Sequence, residues 1–501
     1  MIFRDWLKEL DYTLLQGSVD VETEDVIYDS RKAAPGKVFV AMKGIRVDGH
    51  SFIPQVLKAG VRVLVTERPV EEELKNSGLS EEELKQVTVV MVEEGRHALA
   101  LLSAARFDHP AKKLVMIGVT GTKGKTTTTH MIRAILLAAG KKVGMIGTTG
   151  TVIGYVVTPT LNTTPESYEL HQAFAQMVEA GCEYAVMEVS SQGIKMHRTD
   201  GLYFNYAIFT NISPDHIGPG EHADFEEYLY YKTRLLNMCG IGLVNKDDKH
   251  APQIIKAANC ELYTYSEESK EADFVASDIR YVSQPDFVGT EFHISGKYDM
   301  EVRLGIPGLF NVVNALAAVS VCSFLGLDQA RISHALENIR VNGRMEIVYT
   351  SERCTVLVDY AHNAVSMESL LSTLRDYKPK RLVCVFGCGG NRSKDRRYSM
   401  GEIGGKMADL SIITADNSRY EKVEDIIADI RGSIEKTGGK FIEIPDRREA
   451  IRYSILHAQP GDMVAVIGKG HEDYQEINGV RHHFLDREVI EETVKELGEK
   501  A

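Results

Sequence analysis

Residues 114–130 read LVMIGVTGTKGKTTTTH. An apolar run gives way to glycine and threonine, then to a helical pattern over 126–137, so the stretch predicts strand, loop and helix in that order. Gly118, Gly121 and Gly124 let the backbone turn tightly and aim its N–H groups inward. The helix behind adds its N-terminal partial charge, which makes the loop an anion cradle. Lys125 reaches phosphate as a point charge, and the Thr126 hydroxyl is placed to ligate Mg²⁺. The loop departs from a standard Walker A sequence. Its first glycine would fall at position 119, which is valine, and glycine stands at 118 instead.

Such a unit needs a parallel sheet around it, and the chain is long enough for several. At roughly 100–200 residues per domain, its 501 residues predict two to four. A net charge of −13 argues against a nucleic-acid-binding surface. Seven scattered cysteines without a CxxC pair predict reduced thiols in a cytoplasmic protein. The N-terminus is amphipathic and acidic, unlike a signal peptide. The apolar stretch 315–327 is too short and too broken by serines to span a bilayer. No integral membrane contact is expected.

Residues 1–106 predict a small α/β unit, with β-branched runs at 38–44 and 61–67, a polar helical segment at 74–86 and a helix over 92–107. Residues 107–343 alternate strand and helix, which implies a mostly parallel sheet with ligands at the strands' carboxyl ends. Within them, 272–306 reads as a short antiparallel insertion. Residues 344–501 begin a second α/β pattern.

The strand ends carry the chemistry. Glu188 closes AVMEVSS, where a carboxylate beside a phosphate loop is a natural Mg²⁺ ligand or water-positioner. His216, in NISPDH, reads either as a metal ligand or as a satisfied loop histidine. Lys232, on position alone, reads as a plain surface lysine. Asn311 and Asn314 share one helix face; such amides could read a base or cap the helix. Asp359, Tyr360 and His362 sit just past one strand, and glycines with four cations fill 385–397 past the next. Arg419, in DNSR, could clamp a carboxylate with its fork of donors. GKGHE at 468–472 lacks the Ser/Thr of a second phosphate loop.

In order and spacing, this set resembles the Mur ligase family, most closely the branch that adds the third residue. The resemblance runs nearly end to end: DSRKAAPGKVFVAMKG, GVTGTKGKTTT, NTTPES, MEVSSQGIKMHRTDG, FTNISPDH, GLFNVVNALAA, VNGRMEIV, VDYAHNA, VFGCGGNRSKDRR, DNSR and GKGHED. It implies an α/β architecture of three domains: a uridine-nucleotide and acceptor domain over 1–106, a central P-loop ATPase over 107–343, and a dinucleotide-fold-like, amino-acid-binding domain over 344–501. It implies ATP- and Mg²⁺-dependent amide formation in peptidoglycan precursor synthesis, by a cytoplasmic monomer. The acceptor would be a UDP-MurNAc-L-Ala-D-Glu-type carboxylate and the second substrate a free amino acid.

Carried over residue by residue, the resemblance places ATP at Gly121, Thr122, Lys123, Gly124, Lys125, Thr126 and Thr127. Asn311 matches an adenine contact, Asp359 a ribose contact and Arg344 a phosphate-side arginine. Thr126, Glu188, His216 and Lys232 match the positions that arrange Mg²⁺, with Lys232 carbamylated. A carbamate is an anionic ligand where an ammonium would repel the ion. Lys125, Glu188, His216 and Lys232 form the catalytic set. Ser30, Asn162, Thr163, Thr164, Ser190 and Arg198 match acceptor-binding positions. Arg392, Asp416, Asn417, Ser418, Arg419, Gly468 and Glu472 match the amino-acid pocket.

The family's DNPR signature marks meso-diaminopimelate, whose distal carboxylate the arginine grips. Here Ser418 replaces proline, which would pre-set the turn; serine is expected to loosen it, while the asparagine and arginine remain. Diaminopimelate is therefore the expected amino acid. Gln192 and Met196 also depart from the family pattern. They keep open a related ligase using lysine, another amino acid or another carboxylate acceptor. From another class, a P-loop switch would hydrolyse ATP without any acceptor.

Overall fold

The computed structural model describes residues 1–44 and 47–498, so the last residues of the expected third domain lie outside it. The chain divides into two compact units, residues 1–265 with 320–322, and 266–319 with 323–501. The α/β expectation holds in both.

In the first unit, five short strands come first: β1 (Thr13–Gln16), β2 (Asp25–Ile27), β3 (Lys37–Val40), β4 (Val63–Thr66) and β5 (Thr88–Met91). They form one sheet in the order β1-β5-β4-β3-β2, parallel except for β1. The polar segment over 74–86 is not one helix. It splits into Glu71–Lys75 and Glu81–Leu84 around Gly78, whose φ of 73° suits glycine.

The larger sheet of this unit contains β6 (Val115–Thr120), β7 (Val143–Gly147), β8 (Gly150–Ile153), β9 (Val156–Thr158), β10 (Tyr184–Glu188), β11 (Phe204–Phe209), β12 (Cys239–Asn245) and β13 (Glu261–Ser266). Their order is β13-β12-β11-β6-β10-β7-β8-β9. The strands from β13 to β7 are parallel, and β8 and β9 return antiparallel. Met116, Ile117 and Val119 on β6 and Ala185, Val186 and Met187 on β10 are fully buried, as expected where helices cover both faces of a parallel sheet. Gly118 lies inside β6 and makes no turn. A Cβ there would press on Phe204 at 2.9 Å, so its glycine serves packing.

In the second unit, β14 (Phe274–Gln284), β15 (Phe287–Gly296) and β16 (Met300–Leu304) pair antiparallel, which bears out the insertion expected there. A sheet then forms from β17 (Glu346–Thr350), β18 (Cys354–Asp359), β19 (Arg381–Phe386), β20 (Leu410–Ile413), β21 (Phe441–Glu443) and β22 (Asp462–Ile467). Its order is β17-β18-β22-β19-β20-β21, parallel apart from β17. A hairpin of β23 (Tyr474–Ile477) and β24 (Val480–His483) follows. All seven cysteines are free thiols. Among the described residues no helix is long and apolar enough to cross a membrane.

Candidate active site

The phosphate loop leaves the end of β6 and enters the helix Lys125–Ala138. Two backbone conformations here require glycine: Gly121 at φ 143° and Gly124, the residue before the helix, at φ 86°. A side chain at Gly121 would also overlap the Thr210 hydroxyl. The loop is braced from the end of β11. Thr122 N–H donates to the Asn211 carbonyl and Lys123 N–H to the Asn211 side-chain oxygen, both at 2.9 Å. The Thr210 hydroxyl donates to the Thr120 and Lys123 carbonyls at 3.1 and 2.6 Å. Lys125 Nζ donates to the Gly121 and Thr122 carbonyls at 2.8 and 3.1 Å.

Glu188 ends β10 beside this loop and is buried. The Thr126 hydroxyl lies 3.0 Å from both of its carboxylate oxygens. Thr148, just past β7, donates its N–H to Glu188 at 2.9 Å and its hydroxyl at 3.3 Å. Three neighbouring strand ends thus converge on one carboxylate. Thr148 belongs to this set and sequence reasoning missed it; the threonine pair closing the strand KKVGMIG was the available signal.

Lys232 corrects the reading made from position alone. It lies on the helix Phe225–Thr233 with 2% of its surface exposed, and Nζ donates to the Gly121 carbonyl at 2.8 Å. The amine sits 4.7 Å over the Tyr228 ring. Burial, and then the charge of Lys125, push its pKa well below the usual lysine value. Such a lysine is available as a neutral amine. His216 stands apart in this arrangement. It has a left-handed φ of 54°, its side chain is 56% exposed, and its ring contacts Glu221 at 3.1 Å and Asp215 at 3.8 Å. No described contact joins it to Thr126 or Glu188.

Four of the six expected acceptor residues join the same network. Thr163 meets the Thr148 hydroxyl at 3.0 Å. The buried Thr164 hydroxyl donates to the Glu188 carbonyl and accepts from Ser190 N–H, each at 3.0 Å. Arg198 donates to the Thr164 carbonyl at 3.0 Å and pairs with Glu166 at 2.6 Å. Ser190 is itself fixed by capping Gly193 N–H at 3.0 Å. Asn162 is exposed next to them, and Ser30 lies in the short turn Ser30–Lys32 of the small sheet, outside the network.

The second unit holds the remaining expected residues. Asn311 is buried and donates its amide to the Pro307 carbonyl at 2.7 Å, while Asn314 donates to Asn311 at 3.2 Å. These bonds tie the shared face of the pair to the residues just before the helix Leu309–Phe324. Asp359, at the end of β18, accepts from Met345 N–H at 2.8 Å and Ala361 N–H at 2.7 Å. Burial raises its pKa against the pull of those donors. Arg344 stacks over the Tyr360 ring at 4.9 Å.

Asp416, Asn417, Gly468 and Glu472 come together past β20 and β22. The Asn417 amide donates to Glu472 at 3.0 Å, and a Cβ on Gly468 would stand 2.8 Å from the Asp416 carboxylate. Lys469, fully buried, lies 3.3 Å from the Asn417 side-chain oxygen and 3.4 Å from Glu472. Arg419, at a left-handed φ of 53°, donates to the Gly390 carbonyl at 2.7 Å and stands 3.5 Å from Glu476. Arg392 is exposed, and its side chain flanks Gly389, which Arg419 and the Asn417 carbonyl also border.

The turn at Ser418 is restrained by the β23–β24 hairpin. Arg419 N–H donates to the Glu476 carbonyl at 2.9 Å and Asn478 N–H to the Arg419 carbonyl at 2.6 Å. Glu476 N–H donates to Asn417 at 2.9 Å, and Gln475 donates to the Asp416 carbonyl at 3.1 Å. Main-chain bonds to the hairpin therefore supply the rigidity that proline would have brought. Lys469 and the hairpin were not found by sequence reasoning, because their role depends on which strand ends become neighbours.

Comparison with known proteins places three family models along the chain: "Mur ligase family, catalytic domain" over 23–107, "Mur ligase middle domain" over 119–322 and "Mur ligase, glutamate ligase domain" over 343–470. The chain is 39% identical to the UDP-N-acetylmuramoyl-L-alanyl-D-glutamate--2,6-diaminopimelate ligase of Caldanaerobacter subterraneus subsp. tengcongensis, over 98% of each chain. It is 37% identical to the protein of the same name from Clostridium perfringens, over 98% of this chain and 99% of that one. A solved structure of a UDP-N-acetylmuramoyl-L-alanyl-D-glutamate--2,6-diaminopimelate ligase superimposes with a TM-score of 0.72, at 30% identity, over 95% of this chain and 96% of the other.

Proposed function

The chain belongs to the Mur ligase family of ATP-dependent, ADP-forming amide ligases, and from that premise we propose that it joins meso-diaminopimelate to UDP-MurNAc-L-Ala-D-Glu in peptidoglycan precursor synthesis. The observation that carries this reading is the presence in one chain of two preorganised sets, one in each compact unit. One gathers Thr126, Glu188 and Lys232 around the Gly121–Lys125 phosphate loop; the other gathers Asn417, Glu472 and Arg419.

The ATP γ-phosphate passes to the acceptor carboxylate, giving an acyl phosphate and ADP. The amino group of the incoming amino acid attacks the acyl carbon, the amide bond forms, and phosphate leaves. Phosphoryl transfer asks a protein mainly for positioning and charge neutralisation. Lys125 and the N–H groups of 121–127 hold phosphate oxygens, and Thr163, Thr164, Ser190 and Arg198 hold the acceptor. Asn417 and Glu472 orient the α-amino acid group, with Lys469 holding Glu472 in place. Arg419 takes the distal carboxylate of diaminopimelate through its free donors.

The donor set fits Mg²⁺, since Thr126 and Glu188 offer hard oxygens within 3.0 Å of one another. When bound, Mg²⁺ neutralises developing charge on the phosphoryl oxygens. Lys232 fits as an anionic carbamate, and its buried, readily deprotonated amine is the form that reacts with CO₂. His216 would join the set by movement of its exposed loop. The same reading gives the three-domain division at 106/107 and 343/344, a cytoplasmic location and a monomer.

The test is ADP release from purified protein with ATP, Mg²⁺ and UDP-MurNAc-L-Ala-D-Glu, on addition of meso-diaminopimelate, lysine or ornithine. Release that depends on diaminopimelate is expected. Release with no amino acid of the panel would overturn the reading. A second reading, a different acceptor, is favoured by Gln192, whose buried side-chain oxygen has no protein partner beside the acceptor residues. Turnover with another carboxylate, and none with UDP-MurNAc-L-Ala-D-Glu, would select it.

A further inference from the structure

Away from the phosphate loop, two histidines meet one carboxylate. His97 lies in the first turn of the helix Gly95–Arg106, whose start is fixed by Arg96 N–H donating to Glu94 at 3.1 Å. His197 and Asp200 lie in the turn after the helix Ser191–Lys195. His197 is held at a left-handed φ of 56°, with its N–H on the Ile194 carbonyl at 3.0 Å, and Asp200 N–H reaches the His197 carbonyl at 3.3 Å. Nδ1 of His97 and Nδ1 of His197 each stand 2.7 Å from the same oxygen, Asp200 Oδ2. The two rings are edge to face, 77° apart with centroids at 6.2 Å, so their nitrogens approach that oxygen from different directions.

We propose that His97, His197 and Asp200 form a binding site for one divalent transition-metal ion of the Zn²⁺, Co²⁺ or Ni²⁺ type, separate from the ATP-side cation site. Two imidazole nitrogens and a carboxylate are the donors such ions prefer, whereas Mg²⁺ prefers oxygens. The three ligand atoms all lie within 4.8 Å of one another. Tetrahedral coordination with bonds of about 2.0–2.1 Å places neighbouring ligand atoms about 3.3 Å apart. The present 2.7 Å contacts therefore need to open by roughly 0.6 Å. The rings have room for that, with 44% and 35% of the two side chains exposed, and the same opening leaves a path for the ion and a position for water.

The site has a consequence for the acceptor side. Arg96, next to His97, stands 3.6 Å from Glu166, and Arg198, next to His197, pairs with Glu166 at 2.6 Å. A bound ion would replace the His97–Asp200 hydrogen bond with coordinate bonds linking the helix Gly95–Arg106 to the turn that carries Arg198. Its effect would fall on acceptor affinity.

The experiment uses the full chain without a histidine tag, stripped with chelator and titrated with Co²⁺ in millimolar Mg²⁺, which keeps the oxygen-ligand site occupied. One equivalent of Co²⁺ should be taken up at micromolar concentration, with visible d–d absorption. His97→Gln and Asp200→Asn should each weaken uptake at least about tenfold, since even the loss of a group that only supports a ligand costs that much. His216→Ala should leave it unchanged. Zn²⁺ should raise the melting temperature of the wild type and of His216→Ala, and not that of His97→Gln, which also reports whether each variant is folded. No uptake by the wild type would overturn the site and leave a hydrogen-bonded His–Asp–His clasp. Equal uptake by the folded His97→Gln and Asp200→Asn variants would overturn it as well.

Discussion

Replacing Lys232 by methionine separates a catalytic role from a structural one. The amine makes one hydrogen bond, to the Gly121 carbonyl at 2.8 Å, and that carbonyl keeps Lys125 as a second donor at 2.8 Å. Methionine fills nearly the same volume, so the change leaves neither a cavity nor an orphaned acceptor. The direct cost is one hydrogen bond, about 1 kcal/mol. Against it stands a gain. The folded pKa of Lys232 lies well below its unfolded value of 10.5, so below pH 10.5 folding works against the protonated form of this amine. That penalty is largest at low pH and vanishes above the unfolded pKa. The Lys232→Met protein should therefore lose no more than about 1 kcal/mol relative to wild type near neutrality, and its relative stability should improve as pH falls.

Activity should move far more. Losing the anionic ligand that would help hold the charge-neutralising Mg²⁺ should cost about 10²–10³ in kcat, or about 3–4 kcal/mol, the scale of one preorganised electrostatic group. Amino-acid-dependent ADP release and chemical denaturation measure the two sides on one preparation. Wild-type enzyme depleted of CO₂ should lose rate and regain it with bicarbonate, while Lys232→Met should not respond. Because only the neutral amine reacts with CO₂, the wild-type rate should fall as pH drops through the lowered amine pKa. A Lys232→Met enzyme keeping a third or more of the wild-type kcat would refute the carbamate argument. A stability loss beyond about 3 kcal/mol would mark the lysine as structural instead.

Arg419→Ala should raise KM for the amino acid about 10–100-fold and leave kcat within a few-fold, because it removes a charge-assisted contact of about 1.5–3 kcal/mol that binds ground state and transition state alike; an unchanged KM removes it from the pocket. Gly121→Ala forces a side chain into the Thr210 hydroxyl at φ 143°, so ATP affinity measured by calorimetry should fall at least about tenfold and the melting temperature should drop. Unchanged ATP affinity would show that the loop does not depend on that brace. His171 is fully buried, neither ring nitrogen has a protein partner, and burial holds its pKa at about 3. Since the folded value is depressed below 6.5, its contribution is complete above pH 6.5 and is lost as pH falls through 6.5 toward 3. At pH 5 the loss is about 2 kcal/mol. His171→Leu should abolish that part of the acid sensitivity in melting curves taken from pH 7 to pH 5; an unchanged slope would refute it.

What could be read in the sequence divides along a physical line. Features written in contiguous residues were legible. The strand–loop–helix around Lys125, the parallel alternation of the sheets and the antiparallel insertion over 272–306 all follow from local pattern and turn chemistry. Features that depend on which strand ends meet were not. Lys232 sits in EEYLYYKTRL, a polar helical stretch that gives no sign of burial; it is buried because its helix crosses the Gly121 carbonyl, 111 positions earlier in the chain. Gly118 was read as a loop glycine because it stands near two others, yet its lack of a side chain answers to Phe204 on the neighbouring strand.

Ser418 makes the same point in the other direction. Read locally, serine in place of proline frees a turn. In the fold, the strand that follows GKGHED runs back along that turn and restrains it through backbone groups, which no side-chain motif records. Two variants test the consequence. Ser418→Pro should gain little in amino-acid affinity, because the conformational freedom it would remove is already gone. Gln475→Ala, which removes one of the hairpin's holds on Asp416, should raise KM for the amino acid without touching any substrate-contacting group. If Ser418→Pro instead improved affinity tenfold, the hairpin would not be the restraint.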